Sequence, residues 1–143
     1  MATVELRFSP LPEHVRTARL VAAAVARRAG VDEAVLDEVR LAVGEACSRA
    51  VGLHTGHDLD APVRMALTED EKVFRIEVGD GVPRAQGPAF GTSAGGRGAE
   101  TDDDADLGLA VISGLVDDIE VTADQEGGLI RMSWPTAPVP LAP

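Results

Sequence analysis

The sequence is short of several things, and each shortage narrows the field. It has one cysteine, Cys47, so no intrachain disulfide is available and a reducing cytoplasm is the expected setting. No apolar run approaches the roughly 18 residues of a membrane helix. The opening "MATVELRFSP" lacks the basic-then-apolar order of a secretory leader. Basic residues are scarce: 13 Lys and Arg stand against 24 Asp and Glu, for a net charge of −11. Phosphate backbones are held by Lys and Arg, so this balance argues against nucleic acid and for a protein partner with a basic face. Lysine occurs only at Lys72, a bias that, with the many Ala, Val and Gly residues, reflects GC-rich coding rather than function.

At 143 residues, 45% of them apolar and 26% charged, the chain suits one domain with one core. "TVELRF" alternates Val4, Leu6 and Phe8 against Glu5 and Arg7, the period of a half-buried strand. Residues 13–29 have helical spacing, with Pro10 and Pro12 before them and Gly30 placed to end the helix. Asp32 predicts the cap of a second helix running to about His54, with Leu36, Val39, Val43 and Ala46 on one side. "HTGHDLDAP" reads as a polar connection.

"VRMAL" and "VFRIEV" alternate as strands, and "TEDEK" between them predicts an antiparallel hairpin. From Gly79 to Ala105 the chain is rich in Gly, Ser and acids, a run long enough to predict a functional lid or disorder. "DLGLAVISGLV" resumes helical character, and "DIEVTA" and "LIRMSW" are strands around a Gln-Glu-Gly-Gly turn. "PTAPVPLAP" is a Pro-rich tail unsuited to a sheet. The order β, α, α, β, β, lid, α, β, β predicts an α+β two-layer sandwich with helices on one face of a mixed, mostly antiparallel sheet. The expected domain spans 1–135, with residues 80–105 as lid and 136–143 as tail.

Four segments, "LAVGEACSRAV", "IEVGDGVPR", "DLGLAVISGLV" and "GGLIRMSWP", lie in the order and at the distances of the GHKL (Bergerat) ATPase fold of histidine kinases and gyrase. Across residues 1–135 the chain resembles the small bacterial branch of that fold, the RsbW/SpoIIAB-like anti-sigma factors that are also serine kinases. The resemblance implies binding of ATP or ADP with Mg²⁺, and as partners a sigma factor and an anti-anti-sigma protein. It also implies a homodimer formed through the sheet.

Each segment keeps the family frame and departs from it once or more. The family's helix motif, Glu-Ala-x-x-Asn-Ala, supplies a catalytic Glu and an Asn that ligates Mg²⁺; here Glu45 matches and Arg49 stands at the Asn position. Arginine has five donors and no acceptor, so it cannot ligate a cation, although its fork suits phosphate oxygens. The plainer reading is an ion pair between Glu45 and Arg49, worth about 0.2–0.5 kcal/mol on a helix face.

In Asp-x-Gly-x-Gly the Asp binds the adenine amino group. Asp80 and Gly81 are present, but Val82 and Arg84 replace the glycines. The plainer reading there is an ordinary Asp-Gly turn. In Gly-x-Gly-Leu, whose helix N-terminus holds phosphates, Gly108 and Leu109 match while Asp106 replaces the first glycine. A Thr normally supports the adenine-binding Asp near the last Gly-Gly; here Gly127-Gly128 is followed by Leu129. The candidate site is therefore Glu45 as base, with Arg49, Asp80, Gly81, Gly108 and Leu109 binding nucleotide.

His54 and His57, beside Asp58 and Asp60, are too sparse a ligand set for zinc. "GTSAGGRG" lacks the Gly-Lys-Ser/Thr ending of a phosphate loop. Two functions stay open. One is a binding module that sequesters a sigma factor or engages its antagonist, with a degenerate nucleotide site. The other is an active Mg-ATP-dependent kinase that phosphorylates a serine of the antagonist.

Overall fold

The computed structural model describes residues 2–83, 87–88, 109–116 and 118–136. The chain runs β1 (Ala2–Phe8), α1 (Pro12–Ala29), a 3₁₀ turn (Glu33–Val35), α2 (Leu36–Gly56), β2 (Val63–Glu69), β3 (Val73–Asp80) and β4 (Gly87–Pro88). A helical segment at 109–113, here α3, precedes β5 (Asp118–Asp124) and β6 (Gly127–Pro135). The strands form a six-stranded sheet in the order β1-β2-β3-β6-β5-β4, and every described pair is antiparallel.

Alternation in the sequence sets the register. Val4, Leu67, Ile76, Met132 and Ile119 lie opposite one another across five strands and face the helices. The neighbouring row, Glu5, Ala66, Glu77, Arg131 and Glu120, faces the other way. A slip of one residue in any strand exchanges the two sets. Leu67, Ile76 and Met132 are fully buried, and each such burial is worth about 1.5–3 kcal/mol, so the register is strongly specified. On the open face Arg131 bonds Glu77 (2.8 Å) and Glu120 (3.0 Å), which fills that surface with charge. The Glu77 hydrogen bond is the main cause that holds the Arg131 guanidinium above its ordinary pKa.

The helices cover the inner face. Ala18, Ala22 and Ala26 of α1 are buried, as are Ala42, Ala46 and Ala50 of α2; small side chains let two helices approach closely. Helix α1 ends as expected at Gly30, which takes φ +99° and donates its N–H to Ala26 and Arg27 carbonyls. Trp134 and Phe74 stack obliquely in the core, ring centroids 6.4 Å apart.

Several boundaries differ from those expected. Asp32 caps the 3₁₀ turn, accepting from the Ala34 N–H at 3.1 Å, so α2 starts at Leu36 and runs on to Gly56. The β2–β3 turn is only Asp70 to Lys72, because Thr68 and Glu69 still pair with Arg75 and Phe74. Within the stretch expected to be a lid, Gly87 and Pro88 form a short strand against Ala123 and Thr122. Residues 84–86 and 89–108 lie outside the described residues, as does the tail from 137 on. The backbone pairing of the last strand reaches Thr136, whose N–H meets the Lys72 carbonyl at 3.0 Å.

Candidate functional site

The inward positions of β3 are Phe74, Ile76, Val78 and then Asp80, so the strand's alternation carries a carboxylate onto the apolar side. Asp80 is 3% exposed. A buried carboxylate is costly unless backbone donors meet it, and here they do. Oδ1 accepts the Val82 N–H at 2.9 Å, closing an Asx turn, and the Gly128 N–H at 3.3 Å. The Asp-Gly turn of the plainer reading is thus formed, with its carboxylate buried against the Gly128 N–H.

The second donor explains the Gly-Gly pair. Gly128 lies opposite Asp80 in the β3–β6 ladder, whereas Leu129 lies opposite Gly79 and lines a groove of about 190 Å³ on the open sheet face with Arg64 and Glu77. The residue facing Asp80 is therefore 128, not 129, and it offers a backbone N–H in place of a hydroxyl. Gly127 takes φ +137°, and a Cβ there would sit 2.0 Å from the Asp80 carbonyl oxygen. Only glycine lets the β5–β6 turn press this closely on Asp80 and Gly81.

Glu45 and Arg49 project from α2, both half-buried. The ion pair of the plainer reading is not formed: among the described residues the ion pairs are Arg27–Glu33, Arg40–Asp37 and those of Arg131. Glu45 has no hydrogen-bond or ion-pair partner among the described residues. Its neighbour Gly44 is pressed by Arg19 of α1, whose Cδ lies 2.8 Å from where a Cβ would be. Cys47 is buried, and desolvation pushes its thiol pKa up to about 12, so it is not a nucleophile. Leu109, at the start of α3, is fully buried; Gly108 lies outside the described residues.

One residue of the site was misjudged from sequence. His54, expected near the end of α2 and at the head of a polar connection, is fully buried. Its Nδ1 is 2.8 Å from the Ala61 carbonyl, and its Nε2 is 2.9 Å from the Gly81 nitrogen. A signal existed: Val39, Val43, Cys47, Ala50 and His54 follow the 3–4 spacing of one buried stripe. His54 thus abuts the Asp80-Gly81 corner, and Glu45 lies nine residues back, about 13.5 Å along the axis at 1.5 Å per residue. Arg49 falls between them. At about 100° per residue nine positions are half a turn out of phase, so Glu45 and Arg49, about 40° apart, share a face of α2 that His54 does not.

The donor set does not suit Mg²⁺ on α2. Arg49 has no acceptor, and no group of three or more His, Cys, Asp or Glu residues among those described is placed to hold a metal. No described helix is long and apolar enough to cross a membrane.

A family model described as a histidine kinase-like ATPase domain matches residues 8–134. Among solved structures, the crystal structure of the RsbU and RsbW domains of a Mycobacterium tuberculosis protein superposes with a TM-score of 0.68 at 15% identity. That match covers 99% of this chain and 35% of the solved one, so the chain spans about a third of the larger protein. No curated protein sequence matches it significantly.

Proposed function

Because the chain belongs to the histidine kinase-like ATPase domain family, we propose that it is an anti-sigma-like regulator with an altered nucleotide site. It binds a sigma factor, an anti-anti-sigma partner or both, and so acts in transcription control in the cytoplasm. Similarity in fold to an RsbW domain supports this reading, and so does the acidic charge of −11, which suits a basic partner face. Asp80 and the Gly81 turn would hold the adenine end of a bound nucleotide. Glu45, one turn of α2 before Arg49, would face the terminal phosphate.

The observation that carries the reading is Arg49. Phosphoryl transfer depends on neutralising charge on the phosphates, and the family places an acceptor for Mg²⁺ where this chain has a cation. A guanidinium can bind phosphate oxygens directly but cannot organise a metal. Nucleotide binding without efficient kinase activity follows.

The test is calorimetry with ATP and ADP, with and without Mg²⁺, alongside a phosphorylation assay on a candidate antagonist. Nucleotide binding lost in Asp80→Ala, with no phosphoserine formed, supports the proposal. No binding at millimolar nucleotide removes the nucleotide half of it. Mg-dependent phosphorylation that requires Glu45 overturns it in favour of the kinase reading.

A further inference from the structure

His54 has two ring nitrogens in use and none exposed. The Ala61 carbonyl can only accept, so Nδ1 carries the proton; the Gly81 N–H can only donate, so Nε2 is bare. The imidazole is thereby fixed as one neutral tautomer, wedged between two segments 20 residues apart in sequence. The same loop is tied twice more. The Leu59 N–H donates to the His54 carbonyl at 2.8 Å, and Leu59 Cδ2 lies 3.3 Å from where a Gly81 Cβ would stand. Asp58 holds φ +53°, the left-handed conformation that turns the loop back towards the helix end. A buried imidazole with both nitrogens matched is far more constrained than packing alone requires.

We propose that His54 is a positioning residue of the nucleotide site. It touches no ligand. Its Nε2 fixes the Gly81 amide, and with it the Asp80 carboxylate one residue earlier, relative to α2, the helix that carries Glu45 and Arg49. The imidazole thus sets the distance between the two ends of the site, while Nδ1 and Ala61 hold the ring in place. This inference rests on the nucleotide reading above, and its experiment separates the two.

The two bonds can be removed one at a time. In His54→Gln the side-chain amide can reach the Nε2 position and accept from Gly81. In His54→Asn it reaches only the Nδ1 position and can donate to Ala61. His54→Phe keeps the ring and removes both bonds. The measurements are Gly81 amide exchange by NMR in ligand-free protein, the ¹⁵N shifts of the His54 ring, and ADP affinity, with thermal unfolding as the check on folding.

The expected results are a protected Gly81 amide and ADP affinity within about twofold of the parent for Gln. Asn should show a fast-exchanging Gly81 amide and affinity weaker by about 5- to 10-fold, the usual worth of one hydrogen bond. An Nε2-protonated ring in the parent overturns the inference, as does an Asn variant that binds ADP as well as Gln does. If Phe alone is too unstable to study, the Gln and Asn comparison decides. A parent that binds no ADP, yet shows the Gln and Asn difference at Gly81, refutes the nucleotide reading and leaves the His54 clamp standing.

Discussion

Replacing Gly127 with alanine should be the most damaging single-methyl addition in the described structure. The residue sits at φ +137°, where an L-amino acid is strained by about 1–3 kcal/mol. The added Cβ would lie 2.0 Å from the Asp80 carbonyl oxygen, 3.0 Å from its carbonyl carbon and 3.0 Å from Gly81 Cα. These are backbone atoms of a ladder, which cannot swing aside as a side chain can. Overpacking of this kind adds about 1–3 kcal/mol, giving a loss of about 2–6 kcal/mol in all. With an unfolding entropy of about 2.1 cal/mol/K per residue, the 143-residue chain should lose about 7–20 °C of Tm.

Scanning calorimetry of Gly127→Ala beside Gly52→Ala is the assay. Gly52 is on α2 with nothing within 4 Å of its Cβ position, so alanine there should stabilise by about 0.5–1 kcal/mol through helix propensity. The Gly127 substitution should also weaken any ADP binding, because relief of the clash moves Asp80 and the Gly128 N–H apart. A Gly127→Ala protein within 1 kcal/mol of the parent would refute the argued close approach of turn and strand.

Asp80→Ala should cost about 2–4 kcal/mol in chemical denaturation, since it strands the buried Val82 and Gly128 N–H groups that now share Oδ1. Arg49→Asn should convert nucleotide binding from Mg-independent to Mg-strengthened in calorimetry; no change in Mg response would show that residue 49 does not face the phosphates. Cys47 should resist alkylation until the chain unfolds. Its folded pKa is raised from 9.0 to about 12, so its share of stability is complete below pH 9 and declines as pH rises towards 12, a decline that Cys47→Ala should remove. A dimer through the open sheet face, which carries Glu77, Arg131 and Glu120, should weaken with salt in sedimentation; a salt-indifferent dimer would exclude that face.

The sheet was legible where alternation was strict. Val4, Leu6 and Phe8, or Phe74, Ile76 and Val78, show their faces in sequence because one side of the sheet is buried and the other charged. Helix α1 was legible from its apolar spacing and Gly30. What escaped depends on partners distant in sequence. Gly87 and Pro88 pair because Thr122 and Ala123 offer an edge, and nothing in two such residues announces it. Asp32 had a capping role that sequence showed, but not that a 3₁₀ turn would intervene before Leu36. The burial of His54 was missed because the residues after it are polar, although helical spacing already placed it on the buried stripe. Leu129, without a hydroxyl, left Asp80 with no support in sequence; the ladder register puts the Gly128 N–H opposite it. Glu45, Arg49 and Asp80 are candidates from motif alone, and only the three-dimensional arrangement shows that the first two are not paired.

Strands β3 and β6 are adjacent in space, yet Asp80 and Gly128 are 48 residues apart along the chain. The chain leaves the β3–β6 ladder at Asp80 and re-enters it at Gly128, at the same end. The entropy of closing such a loop grows only as about (3/2)RT ln n, so shortening it by 20 residues would gain about 0.5 kcal/mol. The ladder itself is thus almost indifferent to how long that excursion is. Leu109, Ile112 and Val121 lie within that excursion and belong to the core, so its length is nearly free while those apolar positions are not.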